Sequence, residues 1–294
     1  MSQYQFDLPF YIGKFVRHLK RNNYSVETLH GYQVDLKMFN EFIFKEYSGE
    51  ISTEQIQRDD LLNYLESLAD RGYKPNSIQR NLSTLKSLYK FLFNELNFKV
   101  NVAERIKHSK VYVPLPTILD VEEVQHLLQT AKEYSFDYYV FFTLLYYTGS
   151  RITPIRLLKK ENVHLDKKRI YLEKIKGGED LYLPLHDKCH SVLKEYIKNH
   201  PYPNSIHLFP SSRRNDYPVH ASNVRKTLKA IAKLAQIEKR VTPHLLRHCT
   251  ATHLTHLGVD QQYIASILGH KDLRSTRRYQ QLHVEHLRES VNKL

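Results

Sequence analysis

The sequence holds only two cysteines, Cys189 and Cys249, in 294 residues. Two thiols make neither a disulfide framework nor a cysteine-rich zinc site, and unpaired thiols suit a reducing cytoplasm, which is the expected location. Long apolar runs are missing too. No stretch approaches the roughly 18–20 residues of a membrane span, so no membrane partner is expected. The opening residues MSQYQFDLPFYIGK lack the basic start and apolar stretch of a secretion signal. There are no internal repeats and no low-complexity tract. Acidic residues are in deficit, 31 against 44 Lys and Arg, for a net charge of +13. What remains is a basic chain with 41% hydrophobic residues, enough for a packed core and against intrinsic disorder. Its length suggests about two domains. A polyanion, nucleic acid above all, is the natural partner, because neutralising phosphates releases counterions.

The charge is uneven. Residues 1–110 carry 16 Lys and Arg against 13 Asp and Glu; residues 111–294 carry 28 against 18. The second part also holds 14 of the 17 histidines, so acid–base or phosphate chemistry is expected there.

Apolar spacing predicts a mainly α fold. Helices are expected over Leu8–Lys20, Val26–Glu46 and Asp60–Arg71, and a fourth, announced by Pro75-Asn76-Ser77 with Ser77 as its N-cap, running to about Asn94. Periodicity breaks over Phe98–Leu119, which is basic and then punctuated by Pro114 and Pro116. The expected organisation is an N-terminal four-helix domain over 1–107, a linker over 108–119 and a second domain over 120–294. Asp120 and Glu123 offer a capping box at its start. Phe136–Tyr147 reads as a buried helix closed by Thr148-Gly149. Arg169–Glu173 and Asp180–Leu185 alternate around Lys176-Gly177-Gly178, an antiparallel β-hairpin. Helices follow at about Lys188–Lys198, Ser222–Ala235, His244–His256, Gln261–Leu268 and Ser275–Lys293. Thr242-Pro243 is a strong start signal for the third of these.

The chemistry-bearing residues lie between Thr148 and Tyr279. They are Thr148-Gly149-Ser150-Arg151, Lys176 in the hairpin, His244-Leu245-Leu246-Arg247-His248, Leu268-Gly269-His270, and Tyr279 nine positions beyond that histidine. Each alone is commonplace; together, in this order, they resemble the tyrosine recombinase (phage integrase) family, in its compact Xer-like form. The resemblance spans nearly the whole chain. It implies a core-binding, SAM-like N-terminal domain and a mostly helical catalytic domain with a small antiparallel sheet, together forming a C-shaped DNA clamp.

The residue types suit the reaction implied. Two guanidiniums, Arg151 and Arg247, can grip the non-bridging oxygens of a phosphodiester and stabilise the charge of its transition state. A tyrosine hydroxyl, with an ordinary pKa of about 10, attacks once its proton is accepted. By resemblance Tyr279 is that nucleophile, giving a 3′-phosphotyrosyl link and a free 5′-hydroxyl. Lys176 matches the general acid, His244 the general base, and His270 the second histidine at the phosphate. His248 is placed only as a support. Religation draws on the ester itself, so no cofactor, no ATP and no metal are implied. Double-stranded DNA is the implied substrate, met by a dimer on the site and a tetramer at synapsis, as a homo-oligomer or with a second recombinase. The chain departs from the family pattern at Pro154, where an acidic residue is usual.

Lys74, Arg80, Lys86 and Lys90 in the first domain are candidate DNA contacts, as are Arg225 and Lys226 in the second, with Arg213, Arg214 and Lys229 beside them. Three other readings stay open. One is a metalloenzyme using the His244/His248 or His253/His256 pairs, although no H-E-x-x-H is present. Another is a DNA binder without chemistry, and the third a relaxase with the same tyrosine chemistry. The biological role, whether dimer resolution or mobile-element integration and excision, is not written in the residues.

Overall fold

A computed structural model describes residues 6–108, 117–173 and 180–269. The chain divides into two compact units, residues 1–114 and 115–294.

The first unit is four helices: α1 (Leu8–Arg21), α2 (Val26–Glu46), α3 (Arg58–Asp70) and α4 (Pro75–Leu96). Each turns one apolar stripe inward, so that Phe15, Leu36, Phe39, Ile43, Leu61, Leu68, Leu88 and Leu92 form the core. Ser25 caps α2 by accepting from the Thr28 N–H. The start of α4 differs from the sequence reading. Pro75 occupies the first helical position and Lys74 the cap, so Ser77 lies inside the first turn. Proline's fixed φ fits that position and its missing N–H costs nothing there. The helix also runs two residues further than expected and ends on Asn97, whose left-handed φ of 57° closes it.

Two carboxylates are buried among the described residues of this unit, Asp35 and Asp60. Asp35 is 2% exposed and accepts from Arg80 Nε (3.1 Å), Arg80 Nη2 (2.6 Å) and the Thr84 hydroxyl (2.9 Å). The cluster joins α2 to α4, since an unpaired charge at that depth would cost several kcal/mol.

The second unit opens with α5 (Val121–Tyr134), under the expected capping box: Glu123 N–H donates to Asp120 at 2.7 Å and Asp120 N–H to Glu123 at 2.8 Å. Next, α6 (Phe136–Thr148) is apolar all round and buried accordingly from Val140 to Tyr146. Each fully enclosed ring, such as Phe142, contributes about 1.5–3 kcal/mol. A short α7 (Ile152–Arg156), a 3-10 turn (Lys160–Asn162) and β1 (Val163–His164) follow; the sequence reading missed all three. Five residues or fewer show no period to read. β2 (Arg169–Leu172) and β3 (Leu181–Pro184) pair antiparallel, Ile170 opposite Leu183, and β1 joins the far side of β2, making three strands rather than a hairpin alone. Ile170, Leu172 and Leu183 face the core. Among the described residues the remaining helices are α8 (Asp187–Lys198), α9 (Ala221–Leu234), α10 (Pro243–His256) and α11 (Gln261–Leu268). The hairpin tip with Lys176, most of the proline-marked stretch and the expected helix Ser275–Lys293 lie outside the described residues. Among the described residues no helix is long and apolar enough to cross a membrane.

Candidate active site

The C-terminal ends of α6 and α11 meet on α10 in the second unit. Gly149, with φ 58°, ends α6. A β-carbon there would lie 2.7 Å from Leu268 Cδ2 and 3.2 Å from Thr250 Cγ2. Only a residue without a side chain lets α6 end so close to α11 and α10. One position past α11, a β-carbon on Gly269 would meet Leu181 of β3 at 3.5 Å, so the same point also touches the sheet.

Arg247 binds this junction together. It sits on α10, 5% exposed, and donates from Nη1 to Gly149 O (2.7 Å) and from Nη2 to Leu268 O (2.8 Å). Both acceptors are helix C-terminal carbonyls, which carry partial negative charge and attract a cation. The guanidinium fork thereby sets the end of α6, from which Arg151 follows, against the end of α11, after which His270 follows.

Arg151 is exposed at the N-cap position of α7. Pro154 stands at the third residue of α7, in the first turn, where its missing N–H has no helical acceptor to lose; the backbone accommodates it. His244 is the second residue of α10, whose start is fixed by Pro243 and by Thr242 accepting from Leu245 N–H at 3.1 Å. The His244 imidazole is held below its ordinary value, first by partial desolvation and then by the charges of Arg247, Arg151 and Arg225. The three cations therefore act on one imidazole. A neutral imidazole beside guanidiniums is a proton acceptor placed where an anion would bind.

The structure thus gathers Arg151, His244 and Arg247. Lys176, His270 and Tyr279 lie outside the described residues. β3, the strand that follows the Lys176 tip, and the helix ending just before His270 both border the junction. Of the basic candidates, Lys74, Arg80, Lys90, Arg213, Arg214, Arg225, Lys226 and Lys229 are exposed. Arg225 is the one whose charge reaches His244. Arg80 is exposed, and its Nε and Nη2 also donate to Asp35, which gives it a structural part in the first unit. Lys86 donates to Glu104 O at 3.3 Å, and Arg214 packs over the Tyr217 ring at 4.1 Å. The metal reading through His253 and His256 meets another use of His253, which bonds Tyr146 and Leu119. Sequence reasoning missed this pair of bonds and the carbonyls under Arg247, because a main-chain acceptor leaves no residue type to recognise.

Residues 117–286 match the model of the phage integrase family, and residues 12–95 that of the phage integrase N-terminal SAM-like domain. A tyrosine recombinase of Thermosipho africanus is 32% identical over 277 residues, covering 92% of each chain. The tyrosine recombinase XerA of Pyrococcus furiosus is 33% identical over 235 residues, covering 80% of this chain and 79% of its own. Among solved structures, the XerH site-specific recombinase bound to its difH substrate superposes with a TM-score of 0.79 at 20% identity, covering 99% of this chain and 97% of that one.

Proposed function

The chain belongs to the phage integrase family and is a tyrosine-type site-specific recombinase, a DNA breaking and rejoining enzyme; from that premise we propose the part each residue plays. The observation that carries the assignment of roles is the junction itself. Arg247 is locked on two helix-end carbonyls, Arg151 follows the same glycine, and His244 is kept neutral between their charges.

Double-stranded DNA is the substrate in this reading. Arg151 and Arg247 hold the non-bridging oxygens of the scissile phosphate. Tyr279 attacks the phosphorus, forming the 3′-phosphotyrosyl bond as the bond to the 5′-oxygen breaks. His244 takes the tyrosine's proton, and Lys176 supplies a proton to the departing 5′-oxygen. His270 donates to the phosphate. Rejoining reverses the path with a 5′-hydroxyl from the partner strand, so the phosphotyrosyl bond conserves the energy of the one it replaced. Exposed Lys74, Arg80 and Lys90 in the first unit, and Arg225 and Lys226 on α9, contact the DNA backbone and fix its register. The working form is a dimer on each site and a tetramer when two sites meet, built from this chain alone or with a second recombinase. Residues 1–107 act as the core-binding domain, 108–119 as the linker and 120–294 as the catalytic domain.

A suicide-substrate assay tests the reading. Nicked duplexes drawn from a random pool are incubated with wild type and Tyr279→Phe in EDTA. A covalent protein–DNA band with wild type alone is expected. A band with both proteins moves the nucleophile elsewhere. Binding without a band in either leaves a DNA binder without chemistry.

A further inference from the structure

Leu119 is fully buried at the start of the second unit's described chain, and α10 takes both of its main-chain groups. Its N–H donates to Cys249 Sγ at 3.4 Å, and its carbonyl accepts from His253 Nε2 at 3.0 Å. A carbonyl can only accept, so Nε2 carries the proton and Nδ1 of the neutral ring is an acceptor. The Tyr146 hydroxyl of α6 donates to it at 2.8 Å. Cys249 and His253 are four residues apart and share one face of α10. On the same side the Thr250 hydroxyl lies 2.6 Å from Tyr146 O. One imidazole therefore joins the entry of the chain, the C-terminal half of α6 and the helix carrying His244 and Arg247.

We propose that His253 is a positioning residue for strand cleavage: neutral, with its proton on Nε2, it holds α6 to α10 through Tyr146 and to the chain entry through Leu119, so that Arg151 keeps its spacing from His244 and Arg247. This rests on the recombinase reading. His253 touches no reacting atom. Its surroundings favour the neutral ring. Burial lowers its pKa first, and the nearby His256 adds to this, against the raising influence of the Leu119 carbonyl, Asp120 and Glu122. Protonation would make Nδ1 a donor and require the Tyr146 hydroxyl to turn and accept instead.

The test uses the full chain and the duplex that wild type traps from the pool, with protein saturating and one turnover per complex. The variants are His253→Gln, His253→Leu and Tyr146→Phe. A glutamine amide can still donate to the Leu119 carbonyl and accept from Tyr146; leucine can do neither. His253→Leu is expected to cut about tenfold to a hundredfold more slowly, the loss typical of a displaced catalytic group. The cleaved fraction and the DNA affinity stay within about twofold of wild type, which separates the chemical step from binding. His253→Gln recovers most of the rate, and exchange of the Leu119 amide hydrogen quickens in the leucine variant alone. A fall in cleaved fraction or in Tm with the rate unchanged shows a purely structural residue and overturns the proposal. If His253→Leu does not fold, Tyr146→Phe decides by the same comparison, since it removes one hydroxyl and keeps the ring. No covalent complex with wild type overturns the recombinase reading instead, an outcome distinct from wild-type cleavage with unchanged variant rates.

Discussion

At the scale of the residue, the site is set by side chains whose partners are main-chain atoms. Arg247→Lys keeps the charge and loses the fork. An ammonium cannot reach two separated carbonyls in the same plane, so a buried carbonyl loses its donor. The expected loss of stability is about 1–3 kcal/mol in urea titration. His244 gives a prediction in pH. Its imidazole is held low, so it stays unprotonated and able to accept a proton further into acid than a free imidazole. The acid limb of the single-turnover cleavage rate should fall below the ordinary histidine value of about 6.5. Arg225→Ala removes one of the three cations acting on it and should move that limb upward. A limb that stays in place would dismiss Arg225 as an influence on the base. The same sign holds for folding. A histidine with a depressed folded-state pKa contributes stability in full above the unfolded value, and that contribution is lost as pH falls through the folded value.

At the scale of the element, the helices were legible where a period was long enough to count. α2 runs over the residues its spacing predicts, from Val26 to Glu46. Thr242 and Pro243 start α10 as expected, and Gly149 ends α6. Short elements escaped: α7, the 3-10 turn and β1 have five residues or fewer, and the flank of β2 gave no sign that a third strand pairs there. Ser77 misled because serine and proline both mark helix starts, and proline's fixed φ decided the register. The order of the motifs singles out Arg151, His244 and Arg247. Their closeness to one another, and the carbonyls that hold Arg247, were not legible, because contact between helix ends is a property of packing. Two variants probe this scale. Thr242→Ala removes the cap of the helix carrying His244 and Arg247 and should lower stability by about 1 kcal/mol. Gly149→Ala meets both a positive φ and a 2.7 Å approach to Leu268, so a larger loss of about 2–4 kcal/mol is expected by denaturant titration.

At the scale of the whole molecule, the two units hold separate cores, one around Leu36, Phe39 and Leu88 and one around Phe142, Leu145 and Leu246. Calorimetry on the full chain should show whether they melt as one or two. Asp35→Ala distinguishes them. It strips Arg80 and Thr84 of their acceptor inside the first unit alone, and a loss of about 1–3 kcal/mol should appear there. Two resolved transitions with only one displaced would assign each to its unit. A uniform displacement of a single transition would show that the cores unfold together. The net charge of +13 also acts at this scale, and DNA affinity should fall linearly on logarithmic axes as salt rises.

The two cysteines have a practical consequence. Cys189 and Cys249 are 1% and 0% exposed, and burial raises their thiols to about 12 and about 11. The thiolate is the reactive form, so the folded chain offers maleimide dyes almost nothing to attack. A cysteine placed at exposed Lys45 in one unit, and a second at exposed Lys194 in the other, would each take a fluorophore on an otherwise silent background. Energy transfer between such a pair would let single molecules be watched as the two halves engage a duplex.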